Sequence, residues 1–235
     1  MNTLTDNDLR YVASRLPKDI RDLLTAHPGK LFLAGGFVRA TIAGETPADI
    51  DLFGNDADWL RKVASGLALT RQGARTDRSE NAVSVLTSGR MIIQFITRWT
   101  FDTPDALVAS FDFTVCQAAI WRTPGGGWQS RCSESFYPDL AARRLVYTSP
   151  VRIEEAGGSM LRVIKYIQRG YNIQVPSLGA VVARLVGAVD YSDTVREDEA
   201  FRARILTGLL RQVDPNSTID GFEIVEEHTP VEGFE

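Results

Sequence analysis

With 235 residues, 44% of them hydrophobic and 24% charged, the chain is long enough for one large or two small domains and too apolar for wholesale disorder. Its 26 basic against 30 acidic side chains leave a net charge of −4, which excludes a protein that coats nucleic acid through phosphate contacts alone. Two cysteines, Cys116 and Cys132, and two histidines, His27 and His228, make neither a disulfide framework nor a four-ligand zinc site and speak against Ser-His-Asp hydrolysis.

The opening segment, MNTLTDNDLRYVASRL, is polar and acidic where a signal peptide needs a basic start and an apolar stretch. No apolar run approaches the ~20 residues that span a bilayer. The expectation is a soluble, reduced, cytoplasmic protein with no membrane partner.

Two short helices are predicted first, one capped by Thr5 and one started by Pro17, which stops at His27-Pro28-Gly29. LFLAGG, from Leu31, is a buried strand entering a tight turn, and GFVRATIAG a short helix ending at Gly44. ADIDLFG, residues 48–54, is a strand with Ile50 and Leu52 on one face and Asp49 and Asp51 on the other. An amphipathic helix opened by Asp56 or Asp58 follows, then a polar loop, RQGARTDRSENA.

AVSVLTSGRMIIQFITR is a hairpin turning near Ser88-Gly89. Thr103 caps a helix with Pro104 at its first position. Residues 111–121, FDFTVCQAAIW, are predicted as one strand, with Trp128 to Cys132 returning after the turn PGGG. The sheet then has about five strands of mixed direction.

From Phe136 the pattern is helical: FYPDLAARR, SMLRVIKYIQRGY, SLGAVVARLVGAV and DEAFRARILTGLLRQV all carry apolar residues at helical spacing. Residues 216–235 form an acidic, aperiodic tail, expected to be flexible. The domain plan is thus N-terminal helices at 1–30, a sheet domain at 31–135, a helical part at 136–215 and the tail at 216–235. The fold class is α+β.

Asp49-Ile-Asp51 carries the first chemical signal. Alternate strand residues point the same way, about 6.5–7 Å apart, so two carboxylates share a face and repel. They call for a cation, a basic partner or open water, and Mg²⁺ is the natural cation for an oxygen donor set. The second signal is Gly35-Gly36 between strand and helix, where the backbone can approach a phosphate, with Arg39 one turn further on. Together they place an anion cradle beside a metal site.

The segment LAGGFVRATIAGETPADIDLFG resembles the signature of the DNA polymerase beta-like nucleotidyltransferase superfamily, in particular its poly(A) polymerase and CCA-adding tRNA nucleotidyltransferase branch. Gly35, Gly36, Val38, Arg39, Asp49 and Asp51 match that branch's Gly-Gly-x-Val-Arg turn and Asp-x-Asp strand. Ala40 departs from it, standing where the branch usually has Asp. Asp112, Phe113 and Thr114 resemble part of a later motif, with Ser110 and Phe111 in place of two arginines. Arg162, with Lys165 at or beside a basic position, resembles part of another. The resemblance spans residues 31 to 170 and is closest in the first motif.

The resemblance implies a nucleotidyltransferase-like mixed sheet with flanking helices, and a metal-dependent transfer of an NMP from an NTP to an acceptor with release of pyrophosphate. It implies Asp49 and Asp51 as ligands of Mg²⁺ (or Mn²⁺), Gly35, Gly36 and Arg39 around the triphosphate, and Arg162 at the base or phosphates. Gln94 stands where the superfamily has a third acid. Three alternatives stay open: Asp112 completes the site as a third catalytic carboxylate, two acids suffice, or the enzyme is weakened. The acceptor is RNA (through its 3′ end), protein or a small molecule, and the alternative to an enzyme is a silent nucleotide- or partner-binding module.

Overall fold

The computed structural model describes residues 1–150, 156–187 and 199–213. It divides at Pro150 into a first unit, Met1–Pro150, and a second, Val151–Glu235. Among the described residues no helix is long and apolar enough to cross a membrane.

The first unit is built on a seven-stranded mixed sheet in the order β3-β4-β5-β2-β1-β6-β7. Its strands are β1 (Phe32–Ala34), β2 (Asp49–Phe53), β3 (Arg75–Arg78), β4 (Ala82–Leu86), β5 (Ile92–Ile96), β6 (Ala118–Arg122) and β7 (Trp128–Cys132). β1 runs antiparallel to both β2 and β6, whereas β2 and β5 are parallel. The fold is α+β, as the order of elements implied.

One face of the sheet is apolar across its central strands. Leu33, Ile50, Leu52, Ile93, Phe95 and Ile120 are fully buried there. Helix α4 (Ala57–Thr70) packs over β4 and β5, and α1 (Asp6–Arg15), α2 (Lys18–Ala26) and α3 (Gly36–Ile42) are the other helices before β3. Thr5 caps α1 by accepting from the Asp8 N–H, and Asp56 caps α4 by accepting from the Trp59 N–H. The N-terminal segment is stitched to the sheet, with Asn2 and Cys132 exchanging backbone hydrogen bonds of 2.8 and 2.9 Å.

The opposite face carries a second core under α5 (Pro104–Ala109): Phe32, Ala34, Phe53, Leu107, Val108, Ala119 and Trp121, with Ile96, Phe101 and Phe111 packed against them. Thr103 caps α5, with Pro104 at its start. Helix α6 (Phe136–Ala141) follows β7.

Two segments differ from the sequence reading. Residues 71–82, expected to be all loop, contain edge strand β3, paired with β4 from Arg75↔Leu86 to Arg78↔Val83. All four of its residues are exposed, so no apolar alternation marks it. The expected strand 111–121 begins only at Ala118; before it the chain makes a 3₁₀ turn at Thr114–Cys116. Side-chain bonds replace the ladder there: Gln117 Nε2 donates to the Phe111 carbonyl at 3.2 Å, and Thr114 Oγ1 donates to Asp139 Oδ2 at 2.6 Å.

The second unit contains α7 (Ala156–Gln168), α8 (Val175–Gly187) and α9 (Glu199–Val213), at the places where helical spacing predicts them. α7 packs on both α8 and α9. The 216–235 tail lies outside the described residues.

Candidate functional site

β2 positions the site. Ile50 and Leu52 are buried in the core, which fixes the strand's register and turns Asp49 and Asp51 to the opposite face. The Asp51 Oδ1 atom is sealed from solvent and has no hydrogen-bond partner. Burial first, and the Asp49 carboxylate second, push the Asp51 carboxyl well above the usual carboxylate range. An unsatisfied buried carboxylate beside a like charge is costly unless a cation answers it.

The parallel ladder sets Asp51 abreast of Gln94, and the next, antiparallel ladder sets Gln94 abreast of Ser84. Neighbouring strands lie about 4.8 Å apart, so the Gln94 amide flanks the Asp51 carboxyl. The donor set is therefore all oxygen: two carboxylates with an amide alongside. It fits a hard divalent cation of the Mg²⁺ or Mn²⁺ kind, which accepts one or two protein carboxylates and fills its other positions with water and phosphate.

Asp112 does not lie on the strand that the sequence predicts for it. Because residues 110–117 leave the strand and turn, the alternation that would point Asp112 toward β2 does not exist. The residue is 4% exposed, and its carbonyl accepts from the Thr148 N–H at 2.9 Å. Among the described residues no group of three or more His, Cys, Asp or Glu side chains is placed to hold a metal ion. Around Asp112, the Phe113 ring packs tilted against Tyr147 with centroids 5.6 Å apart, and Asp139 on α6, held by Thr114, also accepts from Arg144 Nε at 2.8 Å.

The Gly-Gly turn lies between β1 and α3. Gly35 has φ +78°, a conformation that side chains rarely adopt, and its N–H is bonded to the Ala118 carbonyl at 3.0 Å. A side chain at position 35 would strike the Phe111 ring, whereas nothing lies within 4 Å of where one would start at Gly36. Gly35 thus shapes the turn. The first α3 bond runs from the Arg39 N–H to the Gly35 carbonyl, so the amides of Gly36, Phe37 and Val38 belong to the unpaired first turn of the helix.

Arg39, expected at an anion, is 3% exposed and pairs with Glu45 at 3.4 Å. Glu45 also pairs with Arg143 at 3.2 Å, bracing the loop between α3 and β2. Ala40, where the related branch has an acid, is fully buried. Arg162 lies on α7 in the second unit. Two participants had no sequence signal: Phe111, whose ring covers Gly35, and Glu45, the partner of Arg39. Both contacts join segments that nothing in local periodicity connects.

A seven-stranded mixed sheet with paired carboxylates on β2 and a glycine turn before them defines a protein with the nucleotidyltransferase head fold. Solved structures agree. The chain is similar to the Thermotoga maritima CCA-adding enzyme complexed with tRNA (19% identity, TM-score 0.57, 87% of this chain and 48% of that one). It is similar to a CCA-adding enzyme in complex with CTP (18%, TM-score 0.58, 91% and 49%) and to one with ATP (16%, TM-score 0.56, 90% and 57%). The chain thus spans about half the length of these proteins. No curated protein sequence matches it. A family model, Gabija anti-defense 2 family protein, matches residues 3–143, and the chain belongs to that family.

Proposed function

We propose that this protein transfers a nucleotidyl group from an NTP to an acceptor, releasing pyrophosphate, and that this activity is how a Gabija anti-defense 2 family protein opposes its target. The observation that carries the reading is the pair Asp49 and Asp51 on β2, with Asp51 Oδ1 buried and unbonded, following the Gly35-Gly36 turn. The CTP- and ATP-bound relatives support an NTP substrate for the same fold.

In this reading Asp49 and Asp51 hold Mg²⁺ or Mn²⁺. When held there, such an ion would supply charge neutralisation for the triphosphate and the leaving pyrophosphate. The chain's own residues do the positioning. Gly35 turns the backbone so that the first α3 amides face the phosphates, and the small Gly36 leaves room for them. Arg39, held by Glu45, braces that turn and adds positive potential behind it. Arg162, on α7, keeps the role that the resemblance implies for it, a nucleotide-binding residue.

The test is incubation of the full chain with each α-labelled NTP, Mg²⁺ or Mn²⁺, and total cellular RNA and protein. The reading expects label on one acceptor class with matching pyrophosphate release, lost in Asp49→Ala and Asp51→Ala. NTP binding without pyrophosphate release from any acceptor overturns it in favour of a silent nucleotide-binding module.

A further inference from the structure

β7 ends the sheet, three strands from β2, and a cleft of about 250 Å³ opens at its outer edge. Residues of the 3–9 segment form one wall and the β6–β7 hairpin the other. We infer that this cleft is a second binding site, separate from the acid pair, for a guanine-type nucleobase. The inference does not rest on nucleotidyl transfer.

The register makes the cleft. Asn2 and Cys132 exchange both backbone bonds, so the N–H and C=O of Cys132 point away from β6. Alternation along the strand turns the same groups of Ser130 and Trp128 outward. The N-terminal segment then leaves the edge. The Leu4 N–H bonds Ser130 Oγ at 3.0 Å instead of a backbone carbonyl, and α1 begins at Asp6. The gap left behind is lined by Trp121 and Trp128, beside a strand edge that still offers donors and acceptors.

These groups suit a base. Arg122 lies over the Trp128 ring at 5.0 Å and is itself held by Thr25 Oγ1 at 3.1 Å, which fixes the indole and leaves its other face to a stacked ligand. Trp121, edge-on to Phe32 at 6.0 Å, is anchored in the second core. Asp6 on the facing wall is exposed, and among the described residues its carboxylate has no hydrogen-bond or ion-pair partner. A carboxylate only accepts, and guanine is the base that sets two donors side by side, N1–H and the N2 amine, with O6 and N7 left for N–H groups of the strand edge. Arg131 is the lining cation and is already paired with Asp105 at 3.3 Å, so a phosphate gains little here. The cleft reads the base and not the phosphates.

The experiment is NMR of the tryptophan indole N–H groups in the full chain, with EDTA present so that no metal-held triphosphate contributes. Guanosine should move the Trp128 and Trp121 signals, the first assigned by its loss in Trp128→Phe, and leave those of Trp59 and Trp99 in place. Guanosine, GMP and GTP should bind within about threefold of one another, and adenosine, cytidine and uridine at least about tenfold more weakly. Trp128→Ala should weaken guanosine about tenfold, the scale of one base stacked on one aromatic ring. Asp6→Asn, an exposed change that keeps the fold, should remove the preference for guanosine and keep the stacking. A short single strand with one unpaired guanine, compared with GMP, identifies the source: equal affinity names a free nucleotide, and tighter binding by about tenfold or more names a nucleic-acid strand. Trp121 and Trp128 signals that stay in place up to the solubility limit of guanosine overturn the site. Equal shifts from all four nucleosides overturn the guanine assignment. Either result leaves the transfer reading standing.

Discussion

A Cβ on Gly35 would lie 2.8 Å from Cε1 of Phe111, closer than real side-chain contacts allow. Phe111 in turn stacks edge-on against Phe53 at 5.9 Å, at the end of the strand that carries the two aspartates. The glycine turn and the acid strand therefore share one aromatic wedge. Substituting Gly35→Ala combines an unfavourable φ with a clash against a ring that packs into the second core. The expected cost is about 1–3 kcal/mol. Thermal unfolding checks it. Gly35→Ala with Phe111→Leu should recover part of the loss, because the smaller side chain removes the clash and leaves only the backbone strain. Full recovery would show that φ is not strained at this position.

Asp51→Asn should make the metal-free protein more stable near neutral pH. The sign follows from its raised pKa in the fold. A carboxyl whose folded pKa lies above its unfolded value favours folding most below the unfolded value of 3.8, and that contribution is lost as pH rises through the folded value. Neutralising the side chain removes both the loss and its pH dependence. Mg²⁺ should raise the melting temperature of the wild type and not of Asp51→Asn, and more at pH 8 than at pH 5, because binding displaces the proton. Identical melting curves for the two proteins, with and without Mg²⁺, would take Asp51 out of the metal site.

Much of this architecture is legible in the sequence. β2 announces itself because Ile50 and Leu52 must be buried and leave Asp49 and Asp51 no choice of face. The caps Thr5, Asp56 and Thr103 mark their helices by chemistry that needs no tertiary context. The segment 111–117 misleads because Asp112 to Gln117 are all buried, so periodicity carries no information about direction. What bends it is long-range: the Thr114–Asp139 bond, and Thr148, whose N–H and Oγ1 bond the carbonyls of Asp112 and Phe111. β3 is invisible for the opposite reason, since its four residues are all exposed and only the ladder to β4 makes it a strand.

Arg39→Ala should cost stability first. The guanidinium is buried against Glu45, and breaking a buried ion pair typically costs about 3–5 kcal/mol; Arg143, still paired with Glu45, should soften the loss. If Arg39 also lends its charge to the phosphate cradle, NTP affinity should fall about tenfold or more, with nucleoside affinity nearly unchanged. Isothermal titration with the triphosphate and the nucleoside separates the two roles. Equal weakening assigns Arg39 to bracing alone.

Asp19 joins α2 to the end of α4 and to the β4–β5 hairpin. Its Oδ2 accepts from Arg71 Nε at 2.8 Å and from Arg90 at 3.1 Å. Burial opposes its ionisation, but the Arg71 hydrogen bond and charge, with Arg90, more than offset that and hold its carboxyl below the ordinary value. Such a group stabilises the fold above its unfolded pKa of 3.8, and the contribution disappears as pH falls through the lower folded value. Asp19→Asn should therefore lower the melting temperature at pH 7 and flatten its dependence on pH below about 4. The Arg71 side chain is 2% exposed, so losing its charged partner should cost several kcal/mol, of order 3. Unchanged melting temperatures at pH 7 would show that the pair contributes nothing net.

Asp112→Asn asks whether the centre has two carboxylates or three. A metal ligand or general base at this position should lose at least ~10²-fold in rate when its charge is removed, with the shape preserved. The structure argues for the other outcome. Asp112 sits at a turn and is 4% exposed, and its neighbours Phe113 and Thr114 are committed to Tyr147 and Asp139. Removing the charge should alter the rate of pyrophosphate release less than tenfold and should lower the melting temperature, since a buried carboxylate loses the contacts that hold it. The measurement pairs single-turnover rates with thermal unfolding at the same pH. Asp49→Asn supplies the contrast: a large rate loss at little or no cost in stability, because it relieves the repulsion on Asp51. If Asp112→Asn instead matches Asp49→Asn in rate and keeps the wild-type melting temperature, the turn at 110–117 rearranges when substrate binds, and a third carboxylate enters the site only then.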